Sequence, residues 1–372
     1  MKYYFIAGEP SGDLHGSNLI SSMKKQDPEA DFRCFGGDLM KRAGAKLALH
    51  YKRMSFIGIW EILMNLKTIN RTLKFCKQDL LEYKPDVLIL IDYPGFNLKM
   101  AEFAKSENIK TLYYIAPKVW ASRKSRIRRI RKSVDKLYVI LPFEEQYFKE
   151  RNCNVEYLGN PLTDVISSFK PAETELFYNK NNLDNKPIIA LLAGSRTTEI
   201  KHCLPEMIEA SKHFPDYQFI VAGAPSIPEN YYNQFLTGTN IKVIFNQTYD
   251  LLNQARAAVV TSGTATLETA LIRVPEVVIY KLSKPTYIIG KPFVHIKFFS
   301  LVNIIMDRLV VKELLQFNLA RDIKNELDLL LFNNDYQNRM LSSFAQLSEK
   351  IGKPGTSERI AKSMYQYLIS NQ

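Results

Sequence analysis

The stretch Ala257-Ala-Val-Val-Thr-Ser-Gly-Thr-Ala-Thr-Leu-Glu-Thr-Ala270 reads as a buried strand, a tight glycine turn and the opening turn of a helix. Val259 and Val260 supply the β-branched run and Gly263 the turn, while Ser262 and Thr264 stand where an N-cap is wanted. A helix starting there points unsatisfied N–H groups and the positive end of its dipole into the space above a sheet, which suits a phosphate. Glu268 lies four residues past Thr264 on the same face of the helix mouth, where a carboxylate can take two hydroxyls of a ribose. The competing reading is an ordinary capped helix of an α/β protein.

Upstream the pattern repeats. Residues 187–192 form an apolar strand that ends in Gly194-Ser195-Arg196, and a guanidinium there is placed to fork onto a phosphate. A lone arginine such as Arg196 is more often half of a surface ion pair. Residues 219–223, 242–245 and 276–280 are further strands of the same half. In the first half, residues 3–7 end in Gly8-Glu-Pro-Ser-Gly-Asp13, and residues 32–35 close on Gly36-Gly37. Glycines 8, 12 and 16 do not match the dinucleotide fingerprint, and Glu9 and Asp13 would repel a pyrophosphate; they suit sugar hydroxyls, or a purely structural turn. Residues 87–91 are continuously apolar, hence buried on both faces of a parallel sheet, and they end at Asp92 before a Pro-Gly turn. Functional groups of open α/β sheets collect at such carboxyl ends, so Asp92 is either an open carboxylate or the holder of its own turn. Strands at 111–116, 137–141 and 155–159 follow.

A chain of 372 residues is long for one core and fits two domains. The polar, strand-free residues 167–186 mark the linker, dividing the chain into 1–166 and 167–349, with a last helix at about 350–372 expected to pack back on the first domain. Strands alternating with helices in both halves predict two doubly wound parallel sheets. The tail from about residue 313 is expected to be helical, broken at 352–355.

Composition is that of a folded protein, 46% hydrophobic and 24% charged, and its net charge of +12 favours nucleic acid, an anionic lipid surface or a phosphorylated substrate. Four scattered cysteines without a CxxC pair read as reduced thiols of a cytoplasmic protein, not a zinc site. The N-terminus turns acidic too early for a signal peptide, and no run approaches the ~18 apolar residues that cross a bilayer. Residues 54–66 carry Glu61 as their only charge and form either a core helix or a greasy surface for lipid. Within 123–132 seven of ten residues are basic, Arg126, Arg128 and Arg129 among them, which points to phosphates or anionic lipid where a solvated helix face is the alternative. Residues 280–300 mix rings, including Phe298 and Phe299, with lysines, as membrane interfaces do; a dimer contact or plain core fits the composition as well.

An open carboxylate on one lobe and a phosphate-grasping helix mouth on the other suit a two-substrate transferase. Ten motifs in order then carry a resemblance to the lipid-A-disaccharide synthase family from end to end. Among them are Gly8-Glu-Pro-Ser-Gly-Asp13, Phe56-Ile-Gly-Ile-Trp-Glu61, Ile91-Asp-Tyr-Pro-Gly-Phe-Asn97, Tyr114-Ile-Ala-Pro-Lys-Val-Trp-Ala121, Leu141-Pro-Phe-Glu144, Gly194-Ser-Arg-Thr-Thr-Glu199, Thr261-Ser-Gly-Thr-Ala-Thr-Leu-Glu268 and Lys312-Glu-Leu-Leu-Gln316. The resemblance implies a GT-B fold, α/β with two Rossmann-like doubly wound domains facing across a cleft. It implies inverting transfer of 2,3-diacylglucosamine from its UDP derivative to the 6-hydroxyl of 2,3-diacylglucosamine 1-phosphate, with no metal and no cofactor, the UDP-sugar being a substrate. Asp92 and Arg196 match the family's essential residues. Gly194, Ser195, Ser262, Gly263, Thr264 and Glu268 would hold diphosphate and ribose. Glu9, Ser11, Asp13 and Asn97 would line the acceptor side, with Asn303 and Gln316 reaching donor groups. Acylated substrates favour lipid contact through Arg126, Arg128, Arg129, Phe298 and Phe299, hence a cytoplasmic protein peripheral to the inner face of the inner membrane, with no nucleic-acid partner and a homodimer left open. Ser122, Asn160, Ala193 and Lys312 depart from the family pattern. Two rivals stand beside this reading: a UDP-sugar 2-epimerase, which shares the fold but not the Asp92 and Trp120 motifs, and a nucleic-acid binder, which leaves Asp92 and the glycine turns unexplained.

Overall fold

The structure is a computed structural model that describes residues 1–53, 66–120, 125–282 and 297–371. The expected greasy helix at 54–66 and most of the ring-and-lysine stretch at 280–300 lie outside the described residues. The chain forms two compact units, residues 1–164 with 351–372, and residues 165–350.

The first unit is built on seven parallel strands: β1 (Lys2–Ala7), β2 (Asp31–Gly36), β3 (Lys46–His50), β4 (Val87–Ile91), β5 (Lys110–Tyr114), β6 (Lys136–Val139) and β7 (Val155–Tyr157). Their order is β3-β2-β1-β4-β5-β6-β7, and every pair is parallel. β1 and β4 sit side by side at the centre with apolar side chains on both faces, which is why they read as unbroken hydrophobic runs. One face packs Leu80, Leu98, Met100 and Ile130. The other packs Leu19, Ile20 and Met23 of the helix Pro10–Gln26 together with Ile360, Ala361, Met364 and Leu368 of the last helix, Thr356–Ile369. That last helix begins against Asp164, whose carboxylate accepts the N–H groups of Gly355, Thr356 and Ser357 at 2.6, 2.9 and 2.8 Å.

The second unit repeats the plan with β8 (Ile188–Leu192), β9 (Gln218–Gly223), β10 (Lys242–Phe245), β11 (Ala255–Thr261), β12 (Glu276–Tyr280) and β13 (Lys312–Leu315), ordered β10-β9-β8-β11-β12-β13 and again all parallel. The expected helical tail is corrected at its start: Lys312–Leu315 is an edge strand on β12. β3, the opposite edge of the first sheet, also goes beyond the sequence reading. All four cysteines are buried and unpaired. Among the described residues no helix is long and apolar enough to cross a membrane.

Candidate active site

In each sheet the direction of strand order reverses once, between β1 and β4 and between β8 and β11. Neighbouring loops at such a switch point run to opposite sides of the sheet and leave a crevice over the carboxyl ends of the strands, where ligands of open α/β sheets bind. Glu9 and Asp92 follow β1 and β4. Gly194, Ser195 and Arg196 follow β8, and Ser262, Gly263 and Thr264 follow β11.

At the first switch point Asp92 is half-buried. It and Tyr93 are both left-handed, with φ of 43 and 46°, and Pro94 then starts the helix Pro94–Ser106. The turn is tied down on all sides. The Asp92 N–H donates to the Tyr114 carbonyl at 3.1 Å, and the Asp92 carbonyl accepts the Tyr113 hydroxyl at 2.5 Å and Asn97 Nδ2 at 2.7 Å. Burial pushes the Asp92 carboxyl above the ordinary carboxylate range; Lys118 pulls it down, Glu9 pushes it up and the Tyr93 N–H pulls it down. The result is a carboxyl poised higher than that of a solvated aspartate. β5 ends at Tyr114 because Ile115 is itself left-handed, φ 59°. The loop beyond carries Lys118 and Trp120, whose indole N–H donates to Glu144 at 2.9 Å. Glu144 is buried, also accepts the N–H groups of Ile140 and Leu141 at 3.3 and 3.1 Å, and is pushed up to about 7 by burial against those bonds and Lys118. Tyr113, Lys118 and Glu144 received no role from sequence. The available signal was Glu144 three residues after Leu141 with Pro142 at the first helical position, the pattern of a carboxylate returning to its own helix start.

At the second switch point the helix Thr264–Leu271 starts at Gly263 with no side-chain cap, which corrects the expectation that Ser262 or Thr264 caps it. The Ser262 hydroxyl instead donates to the Phe299 carbonyl at 2.8 Å. Among the described residues, its chain neighbours aside, a Cβ at Gly263 would meet nothing nearer than the Thr261 carbonyl at 3.9 Å. Gly263 and Thr264 are exposed there. Glu268 accepts the Tyr249 hydroxyl at 2.6 Å, and burial raises its carboxyl against the pull of that bond. Beside it, Gly194 is left-handed at φ 106°, and a Cβ would lie 2.5 Å from the Glu199 carboxylate, which folds back to accept the Ser195 N–H at 3.0 Å. Arg196 is exposed and loosely paired with Glu199 at 3.8 Å. With Tyr280, Lys281 and His202 it lines a cavity of about 280 Å³ within this unit. Lys281 is paired with Glu206. Burial and the charges of Lys201 and Lys281 hold the His202 ring below its ordinary value.

Several residues expected to touch substrate also hold the fold together. The Asp13 carboxylate is buried and accepts the N–H groups of Gly37, Leu39 and Met40 at 2.8, 3.1 and 3.1 Å, anchoring the helix Asp38–Arg42. The Asn97 amide braces the Asp92 turn, donating also to Ile91 O at 3.1 Å. Asn303 is fully buried: its Nδ2 donates to Val311 O and Glu313 at 2.9 and 2.8 Å, and its Oδ1 accepts the N–H groups of Val310 and Val311 at 2.7 and 3.0 Å. Gln316 pairs with both backbone groups of Leu282, at 3.1 and 2.9 Å. Asn160, one of the departures, ties Ile140 O to Leu162 N, 3.0 Å each. Glu9 is half-buried beside Asp92, while Ser11 is exposed on the first turn of its helix. Of the basic helix Arg126–Ser133, Arg129 forks onto Glu102, whereas Arg128 is exposed. Phe299 stacks on Tyr280 with ring centroids 6.2 Å apart, and Phe298 lies under Lys297 at 4.9 Å. Among the described residues no cluster of three His, Cys, Asp or Glu is arranged to hold a metal ion.

Two parallel sheets with glycine turns at both switch points define the GT-B class. The UDP-GlcNAc 2-epimerase of Neisseria meningitidis, solved bound to UDP-GlcNAc, superposes with a TM-score of 0.69 at 15% identity, covering 98% of this chain and 100% of that one, a likeness of fold. Sequence is more specific. The family model described as lipid-A-disaccharide synthetase matches residues 3–362. Lipid-A-disaccharide synthases of Coxiella burnetii (strain Dugway 5J108-111) and Syntrophus aciditrophicus are 36% and 37% identical over 370 and 367 residues, covering 98% and 96% of this chain and 98% and 95% of theirs. The chain belongs to the lipid-A-disaccharide synthase family and is a glycosyltransferase.

Proposed function

We propose that this enzyme moves 2,3-diacylglucosamine from UDP-2,3-diacylglucosamine to the 6-hydroxyl of 2,3-diacylglucosamine 1-phosphate, with inversion at the anomeric carbon. Asp92 takes the proton of the attacking hydroxyl. Its oxygen forms the new β1→6 bond as the bond to the diphosphate breaks and the electron pair leaves with UDP. The charge developing on the diphosphate falls to Arg196 and the uncapped N–H groups after Gly263, and Glu268 takes ribose hydroxyls. No cofactor enters. The observation that carries this reading is a half-buried carboxylate following a central strand at one switch point, and a guanidinium and an uncapped helix start following the two adjacent strands at the other.

Incubation with both substrates should yield disaccharide 1-phosphate and UDP, and Asp92→Ala should yield neither. UDP release without the acylated acceptor would favour epimerase-like chemistry instead. Acylated substrates also require access to a bilayer. We assign that contact to the inner face of the inner membrane, through Arg126, Arg128 and Arg129 of the basic helix. Charge reversal at all three arginines should weaken sedimentation with anionic vesicles, and unchanged sedimentation refutes the assignment.

A further inference from the structure

Asp92 and Tyr93 form two consecutive left-handed residues, neither of them glycine, a conformation that L side chains rarely adopt and that persists only where the surroundings over-determine it. The surroundings here are specific. β5 lies beside β4 with Tyr114 opposite Ile91. From β5 the Tyr114 carbonyl takes the Asp92 N–H at 3.1 Å, while the Tyr113 hydroxyl reaches the Asp92 carbonyl at 2.5 Å. The N–H and the carbonyl of one residue are thus both held by adjacent residues of one strand. Asn97 Nδ2 takes the second lone pair of the same carbonyl at 2.7 Å. The Tyr93 ring closes over Gly8, where a Cβ would come within 2.4 Å of it.

A buried phenol needs only one acceptor, and any strand carbonyl would serve. Tyr113, fully buried, donates to the carbonyl of the residue read as the base. We infer that Tyr113 is a positioning residue for the transfer: with Asn97 it locks the left-handed turn that aims the Asp92 carboxylate. The inference rests on the reading of Asp92 as the base.

Tyr113→Phe removes the hydroxyl alone and leaves the carbonyl its bond from Asn97, so the fold should survive. Tyr114→Phe is the matched control, because that hydroxyl is buried without a hydrogen-bond partner among the described residues. In full-length protein assayed for acceptor-dependent UDP release, Tyr113→Phe should lower kcat about 10-fold per folded molecule, the scale of a small misplacement of a reacting group. Both KM values should stay within about two-fold and Tyr114→Phe should match wild type. In an Asp92→Asn background, Tyr113→Phe should cost nothing further, since a residue acting through Asp92 has nothing left to aim. Wild-type kcat in Tyr113→Phe, or an equal loss with and without Asp92, overturns the inference. A readout without turnover separates it from the functional reading. With ¹³Cγ-labelled aspartate, the Asp92 resonance should move in Tyr113→Phe and not in Tyr114→Phe, and an unmoved resonance refutes the aiming role whatever the wild-type enzyme turns over.

Discussion

The two switch points are built on opposite principles. Around Asp92 both backbone groups are bonded, the dihedral angles are unfavourable for any L residue, and the Tyr113 and Asn97 side chains and the β5 backbone enforce them. Around Gly263 the helix mouth is exposed, and its N-cap glycine offers no side-chain cap. A group that must move a proton gains from a single preset direction, whereas a site that must receive an anion gains from donors not yet spent on the protein. Strain and dissatisfaction are each placed where they help.

The sharpest way to break this contrast is Asp92→Asn, which keeps the turn and removes the carboxylate; under the proposed role kcat should fall by about 10²–10⁴ with donor affinity retained, as steady-state rates would show. Next, Arg196→Ala should cost about 10²–10³ in kcat, and Arg196→Lys should recover only part of it, because a point charge replaces a fork. The pH profile then tests the poise of Asp92. Its folded carboxyl sits above the ordinary range, so kcat/KM should fall as pH drops through that raised value. Lys118→Ala should move this acidic limb to higher pH and Glu9→Gln to lower pH. Asp13→Ala should cost about 1–2 kcal/mol in a chemical melt, as a lost helix anchor does, with activity per folded molecule unchanged. The smallest effect belongs to Ser262→Ala, about 1 kcal/mol or less in the same melt, through the lost bond to Phe299.

Much of this was legible. The unbroken apolar runs of β4, β8 and β11 announce strands covered on both faces, and each is followed by a turn rich in glycine or polar residues, so both sheets and their functional edge follow from period and punctuation. What escaped is non-local. Gln316 looks like a ligand-reaching amide until its two bonds to Leu282, 34 residues away, are seen. Asn303 and Asp13 likewise meet backbone groups that no local pattern announces. Lys312–Leu315 is made of good helix formers, and pairing along β12 overrides that weak preference. The Tyr113 hydroxyl could not be singled out among 20 tyrosines because its acceptor lies on another strand.

Asp164 has a wider bearing. It is the last residue before the chain departs for the second sheet, and it grips the amides of Gly355, Thr356 and Ser357 soon after the chain comes home. The whole of residues 165–350 is therefore an insertion whose two stems are pinned to one carboxylate. Such an arrangement lends itself to modular exchange, with one inserted sheet lifted out and another spliced in while the host sheet keeps its closing helix.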